Sequence, residues 1–308
     1  MTQYESELAF AVETAVEAGR EIRRQYEDHS ARTYVKADES PVTDADLASD
    51  RIIRGRIAER FPSDAVLTEE GVDDEARLYA ERVWIADPID GTQQYIDRTG
   101  QFDVLLALVV AGRPVVSAMV QPATGVYLAA ERGAGAWIGD GDTGERVAAR
   151  LAVPPARPNV VTTIWFGGTL AAEYLVRIAA TVGAPEPPIL QTGIVARGHL
   201  DPTLPLVADR PDRALVLGYP SAAHALVGLP VRGDGTMAWE WDYVAADLWI
   251  NEAGGRFSDW HGNEFIYNKR LPRNEGGLII ANSPALHARI RSAIAPEIAL
   301  VERSRREE

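Results

Sequence analysis

Val83-Trp84-Ile85-Ala86-Asp87-Pro88-Ile89-Asp90-Gly91-Thr92-Gln93-Gln94-Tyr95-Ile96 is the stretch around which the chain is organised. Val83 to Ala86 form a short apolar run of β-rich composition. It ends at two carboxylates, Asp87 and Asp90, with Pro88 between them. Gly91 and Thr92 follow, and the polar and aromatic residues after them have the character of a helix start. A strand ending this way places acids, a backbone carbonyl and helix-start amides at one point. Hard divalent cations take carboxylate and carbonyl oxygens. Exposed N–H groups at a helix start take phosphate. The stretch therefore reads as a place where a metal and a phosphate meet.

Upstream, residues 4–27 carry Leu8, Ala11, Val12, Ala15, Ala18 and Ile22 at helical spacing, which predicts a long amphipathic helix. Residues 28–39 read as a polar loop. Ser40-Pro41-Val42-Thr43-Asp44 then predicts the start of a second helix running to about Arg60, with Ile52, Ile53, Ile57 and Phe61 inward. Its first turn holds Asp44 and Asp46. Acids commonly sit there for the helix dipole alone. Ala65 to Thr68 predict a strand running into Glu69-Glu70-Gly71, a pattern that ordinarily marks a solvated turn. Residues 72–81 read as a short acidic helix or loop.

Downstream, Val104–Val110, Val115–Val120 and residues 125–130 predict an antiparallel meander packed on helices. Ala111 to Pro114, Gly133 to Trp137 and Gly139-Asp140-Gly141 read as its turns. Pro154-Pro155-Ala156-Arg157-Pro158 marks a boundary between two lobes, residues 1–153 and 154–308. The second lobe predicts a strand at 160–164, a helix at about 170–182, a long loop at 195–215 and a strand at 214–217. Ser221–Val227 reads as a short helix. Trp241-Asp242 leads into a helix over 243–253 that stops at Gly254-Gly255. Asp242 at that start has an ordinary use as an N-cap. Strands at about 256–258 and 278–281 and a helix from Pro284 to Ile294 complete the reading, with a charged, frayed tail from Glu302.

The chain has 308 residues, of which 46% are apolar, a composition that supports a sizeable folded core. No apolar run reaches the roughly 18 residues of a membrane span. Met1 to Glu7 are acidic and polar, unlike a signal peptide. With no cysteine there is no disulfide, thiolate site or cysteine nucleophile, and the cytoplasm is the default compartment. A formal charge of -14 disfavours long nucleic acid and anionic membranes. A small phosphate ester remains compatible if metal ions supply positive charge locally.

Val42-Thr43-Asp44-Ala45-Asp46, Thr68-Glu69-Glu70, Trp84 to Thr92, and Trp241-Asp242 with Glu252-Ala253-Gly254-Gly255 occur in the order found in one family. The chain resembles the inositol monophosphatase superfamily of Mg²⁺-dependent, lithium-sensitive phosphomonoesterases. Gln93-Gln94-Tyr95-Ile96, Gly100-Gln101-Phe102, Met237, Glu240-Trp241-Asp242 and Tyr267-Asn268-Lys269 resemble its 3′(2′),5′-bisphosphate nucleotidase branch, with Ala238 and Trp239 as an insertion. The resemblance implies a layered αβαβα sandwich of α/β class and two or three Mg²⁺ ions. It implies that Glu69, Asp87, the Ile89 carbonyl, Asp90 and Asp242 hold two of them, and that Asp46 helps with a third. Glu69 and Thr92 would orient and deprotonate the attacking water, and the Gly91 and Thr92 amides would hold the phosphate. Glu70 would join the water network. Clustered carboxylates need such cations, because like charges drive their pKa values up. Metals bridging phosphate, water and leaving oxygen stabilise an in-line displacement.

The chain departs from that branch in three places. Its Ser-Ser-x-Lys type segment corresponds here to Gly218-Tyr219-Pro220-Ser221-Ala222-Ala223-His224, without the lysine. Asp247 stands where a glycine is usual. Residues 190–215 do not match. The metal chemistry is expected to be retained and the pocket remodelled, with Tyr219, His224, Trp239 and Trp241 as an aromatic or hydrogen-bonding wall. Arg213 or Arg232 would stand in for the lysine. His224 and His261 are candidate pocket residues, although a loop or core histidine is the commoner use. The substrate expected is a small nucleotide-like or sugar-like phosphate. Alternatives are an inositol- or sugar-phosphate, a modified nucleoside phosphate, or binding of metal and phosphate without turnover. A homodimer is compatible with the resemblance.

Overall fold

A computed structural model of the chain describes residues 2–37, 39–151, 154, 156, 158, 160–163, 189–190, 225–228 and 236–307. Helix α1 (Glu5–Asp28) is followed by strands β1 (Thr33–Val35) and β2 (Pro41–Thr43), helix α2 (Asp44–Arg60) and strand β3 (Ala65–Thr68). A 3-10 turn, Glu75–Tyr79, leads to β4 (Arg82–Asp90) and the short helix α3 (Thr92–Ile96). The meander is β5 (Asp103–Val110), β6 (Arg113–Val120), β7 (Val126–Glu131), β8 (Gly135–Asp140) and β9 (Arg146–Ala149). Then come β10 (Val160–Thr163), β11 (Ile189–Leu190), β12 (Ala225–Gly228) and β13 (Thr236–Trp239). A 3-10 turn, Glu240–Asp242, enters α4 (Val244–Glu252). Strands β14 (Arg256–Asp259), β15 (Arg273–Glu275) and β16 (Leu278–Ala281) and helix α5 (Pro284–Glu307) end the chain.

The seven-stranded sheet has the order β3-β4-β5-β6-β7-β8-β9. β3 and β4 are parallel and the later neighbours antiparallel, as the meander reading expects. Among the described residues, a second sheet of five strands has the order β11-β10-β12-β16-β14. Strand periodicity separates the layers, since alternate side chains face opposite sides. Trp84, Ala86, Leu106 and Leu108 pack under α1 and α2. Ile85, Leu105, Ala107 and Val109 face the other way, onto α4. Phe257, Leu278 and Ile280 close that central core from the second sheet. Ile279 and Ala281 point outward against Leu286, Ile290 and Ile294 of α5. The result is the expected αβαβα sandwich.

Several local expectations are corrected. Residues 28–39 are not all loop, because β1 pairs with β2. Pro41-Val42-Thr43 are thus a strand, and α2 begins only at Asp44. Pro114 lies inside β6, and Gly139-Asp140 lie inside β8 rather than in a turn. Gly139 has a packing reason to lack a side chain: a Cβ there would meet the Tyr127 ring at 2.1 Å. The Ser221–Val227 helix is overturned where it is described, because Ala225–Gly228 pair with both β10 and β16. Helix α5 runs through the expected frayed tail to Glu307, with Pro296 inside it. The expected elements at 170–182, 195–215 and 214–217 lie outside the described residues.

Candidate functional site

The site is built where β4 ends. Backbone pairing with β5 shifts register between Asp87 and Asp90, so the strand bends at Pro88. Asp87 is folded back on this bend, its Oδ1 accepting from the Ile89 N–H at 2.9 Å. Ser49 of α2 donates to the Pro88 carbonyl at 2.9 Å. Gly91 then takes a left-handed conformation, φ +92°. A Cβ there would lie 2.9 Å from the Gln101 carbonyl, so both backbone angle and space call for glycine. Thr92 opens α3, and its hydroxyl donates to Asp46 Oδ1 at 2.9 Å while lying 3.3 Å from the Ile89 carbonyl.

Asp46 serves two ends. Its Oδ2 accepts from the Thr43 N–H at 2.8 Å and from the Thr43 hydroxyl at 2.5 Å, completing a capping box. Its Oδ1 reaches Thr92. The ordinary reading of an acid in a helix first turn and the site reading both hold, through different oxygens. Asp44 turns away, accepting from Arg32 N–H and from the Tyr34 hydroxyl of β1.

Asp242 comes from the far half of the chain. It is the last residue of the 3-10 turn, not the N-cap of α4, whose cap position is Tyr243. Its Oδ2 accepts from Trp239 N–H at 2.8 Å. Glu69 follows β3, its N–H bonded to the Ala86 carbonyl of β4.

These acids share one field. Burial pushes the Asp87 carboxyl well up, and Glu69, Asp90, Asp242 and Asp46 push it further. Asp90 keeps part of its residue surface open, yet the protein around its carboxyl and the charge of Glu69 raise it to about 7. Burial raises Asp242 well above the carboxylate range, with Asp90 and Glu69 adding to the shift. Asp46 is raised by burial, opposed by its hydrogen bonds to Thr43 and Thr92. Asp103, opposite Asp90 on β5, is also pushed up by burial and by Asp90, and its Oδ1 has no hydrogen-bond partner among the described residues.

Among the described residues, no group of three acids or histidines is drawn into a closed metal-holding arrangement. A side chain that the sequence reading did not single out sits among them instead. Lys36 Nζ lies 2.6 Å from both Glu69 Oε1 and Glu70 Oε1. Burial opposes its charge, but the two glutamates outweigh burial and raise its pKa. Burial raises Glu70 to about 7 even so. A lone lysine in a polar loop carries no sequence signal for this placement; only the β1–β2 hairpin brings it here.

An all-oxygen set with excess buried negative charge suits a hard divalent cation. Mg²⁺ fits these residues on that ground: Asp87 is buried, the carboxyls of the partly exposed Asp90 and Asp242 stand beside like charges, and a cation would relieve that repulsion.

The expected pocket wall is only partly described. Trp241 is buried, 7% exposed, and stacks on Trp239 with centroids 4.9 Å apart. Arg273 covers Trp239, its Cζ 3.8 Å from the ring centroid. Trp239 is therefore engaged by both Trp241 and Arg273. His261 lies in the turn after β14, beside Trp260 and Arg291, in the outer layer. Tyr219, His224, Arg213 and Arg232 lie outside the described residues.

Known proteins share the sequence and the fold of this chain. The inositol monophosphatase family model matches residues 3–167. A histidinol-phosphatase from Chlorobaculum parvum is 30% identical over 281 residues, covering 90% of this chain and 92% of that protein. The Escherichia coli K12 3′(2′),5′-bisphosphate nucleotidase CysQ is 34% identical over 255 residues, covering 82% of this chain and 90% of that protein. Among solved structures, CysQ from Bacteroides thetaiotaomicron, a bacterial member of the inositol monophosphatase family, has the same fold. It superposes with a TM-score of 0.67 at 22% identity, over 91% of this chain and 98% of that one. The SuhB protein of Bartonella henselae gives a TM-score of 0.68 at 22% identity, over 94% and 98%. With these matches, the chain belongs to the inositol monophosphatase family of phosphatases, which are generally Mg²⁺-dependent.

Proposed function

We propose that this phosphatase hydrolyses a small phosphate monoester carrying one ring system, with two or three Mg²⁺ ions, in the cleft between residues 1–153 and 154–308. The observation that carries the reading is that Glu69, Asp87, Asp90 and Asp242, from three separate parts of the chain, lie close enough for Glu69 and Asp90 to raise both Asp87 and Asp242, with Lys36 paired to Glu69 and Arg273 opposing the rise at Asp242. Glu69, Asp87, the Ile89 carbonyl, Asp90 and Asp242 would hold two ions, and Asp46 would help with a third. Bound there, the ions would neutralise the phosphate and the leaving oxygen.

The residues of the chain do the rest. The Gly91 and Thr92 amides hold the phosphate at the start of α3. Thr92 points its proton at Asp46, which would leave an oxygen lone pair for the attacking water. A proton leaving that water passes to Thr92 as the Thr92 proton moves to Asp46. Glu69, whose Oε1 accepts from Lys36, would orient the same water. The water oxygen bonds to phosphorus, the bond to the leaving oxygen breaks, and that oxygen takes a proton from bulk water, to which Asp46 then gives up the proton it received. Intact Glu69 and Thr92 favour turnover over mere binding, since binding needs no water-activating pair.

The substrate reading rests on what the chain lacks. A lysine between Gly218 and His224 would place a fixed charge against a second phosphate. Its loss removes a charged hydrogen bond, worth about 1.5–3 kcal/mol. The histidinol-phosphatase relative is named for a monophosphate with one ring, and the nucleotidase relatives for a bisphosphate. Specificity constants for histidinol phosphate, inositol 1-phosphate, nucleoside monophosphates and 3′-phosphoadenosine 5′-phosphate, measured with Mg²⁺, decide between them. Preference for a one-ring monophosphate is expected. A hundredfold preference for the bisphosphate overturns the substrate reading, and no phosphate release from any of them overturns the enzymatic one.

A further inference from the structure

Tyr267-Asn268-Lys269 is a motif that the site chemistry does not use. In the fold it becomes a junction between the two halves of the carboxylate cluster. Arg77, on the 3-10 turn between β3 and β4, is 2% exposed. Its Nη1 donates to Asn268 Oδ1 at 2.7 Å and to the Lys269 carbonyl at 2.9 Å, and its Nη2 to the Arg270 carbonyl at 3.3 Å. Asn268 Nδ2 returns a bond to the Arg77 carbonyl at 2.9 Å. Asp73 holds the guanidinium in place with 2.6 and 2.8 Å contacts.

The same segment grips the other side. Glu240 is fully buried, and its carboxylate accepts from Asn268 N–H at 2.7 Å, from Lys269 N–H at 3.3 Å and from Lys269 Nζ. Its own N–H donates to the Pro272 carbonyl at 2.8 Å. Glu240 opens the 3-10 turn that ends in Asp242. Tyr267 extends the grip to α4 by donating to Asp247 at 2.7 Å. Asp247, the residue found where the family usually has glycine, thus anchors the junction to the helix that follows Asp242.

We propose that Arg77, Asn268 and Glu240 form a latch that positions Asp242 relative to Glu69, so that contacts away from the carboxylates set how tightly the site holds its cations. The physical reason is rigidity. Glu69 and Asp242 belong to segments distant in sequence, and the latch links the connector after Glu69 to the turn carrying Asp242. Cation affinity depends on ligands held within about 0.5 Å of their working geometry. These are positioning residues, and the inference rests on the proposed roles of Glu69 and Asp242 as cation ligands.

Asn268→Gly is the cleanest probe. Asn268 has a φ of +65°, which glycine adopts freely. The variant keeps both backbone N–H groups on Glu240 and loses only the side-chain bonds to Arg77. Arg77→Lys keeps the charge and loses the fork. Mn²⁺ binding is measured by electron paramagnetic resonance on the full-length protein without substrate, alongside the thermal midpoint. Ile138→Val, a core change in β8, serves as a stability control. The expected result is at least fivefold weaker Mn²⁺ binding in both latch variants and unchanged binding in Ile138→Val. Wild-type Mn²⁺ affinity in folded Asn268→Gly overturns the latch. So does equal weakening in the Ile138→Val control, which would make the effect one of general stability. Asp242→Asn separates the two ideas: if it binds Mn²⁺ as the wild type does, the ligand assignment fails, whatever the latch variants show.

Discussion

Two groups of buried charge lie close together in this fold and are built on opposite principles. At the end of β4, Asp87, Asp90 and Asp242 have like charges for neighbours, and burial drives all three upward. At the junction beside them, Arg77 and Glu240 are at least as buried, yet each meets opposite charge and several hydrogen bonds. Burial raises Glu240 too, but the Lys269 charge and the backbone N–H groups oppose it. A buried charge left unpaired destabilises the fold unless something else binds there. Unbalanced charge is what a cation would neutralise in the proposed site, whereas balanced charge ties the junction together.

The sharpest way to break this contrast is to neutralise one acid in each group. Asp90→Asn should abolish nearly all phosphatase activity while raising the thermal midpoint of the metal-free protein, because it removes repulsion. Wild-type turnover at ordinary Mg²⁺ in the folded variant would sink the assignment. Thr92→Ala should lower kcat by about 10²-fold, in the range of a lost proton-transfer group, with a smaller change in KM. A change confined to KM would mean that Thr92 only binds substrate. Glu240→Ala should act in the opposite sense to Asp90→Asn on stability. It leaves Lys269 and backbone donors without their acceptor and should cost about 3–5 kcal/mol, read by denaturant unfolding.

The pH dependence of stability carries the contrast further, with a smaller effect. Asp90 has a folded pKa of about 7, against about 3.9 in an unfolded chain. The folded state takes the proton first, so this group penalises folding fully above about pH 7 and releases that penalty as pH falls toward 4. In chelator, the midpoint should rise over that window on acidification, and Mg²⁺ should flatten the rise. His287, buried and 2.7 Å from the Ser258 hydroxyl, is lowered to about 4 chiefly by burial. Its sign is reversed: the fold favours the neutral ring, so its contribution is present above about pH 6.5 and is lost as pH falls toward 4. His287→Gln should remove that acid-side loss and leave the Asp90 window unchanged. A single pH trend untouched by both Mg²⁺ and His287→Gln would show that neither group controls it.

Much of this was legible in the chain because the signals are local. The 3.6-residue spacing of Leu8, Ala11, Ala15, Ala18 and Ile22 places α1, and the apolar runs place the meander strands. Asp87-Pro88-Ile89-Asp90-Gly91-Thr92 specifies its own bend, since proline restricts the backbone and Gly91 alone tolerates the turn. The misreadings fell where long-range pairing overrides local preference. Ala225–Gly228 have no strong local period and become a strand because β10 and β16 flank them. Gly139-Asp140 look like a turn and are held extended by β7 and β9.

The sequence by itself determined the donor chemistry: carboxylates, a carbonyl and amides at one bend, with no thiol to compete. Tertiary structure decided which acids lie together. Asp44 and Asp46 share one helix turn, yet the turn geometry sends one to β1 and the other to Thr92. Lys36 reaches Glu69 and Glu70 only through the β1–β2 pairing. Arg77 and Glu240 find each other's segment across most of the chain's length, through Asn268. Backbone preference acts over a few residues, whereas buried charge is balanced or left unbalanced by whatever packing brings alongside it.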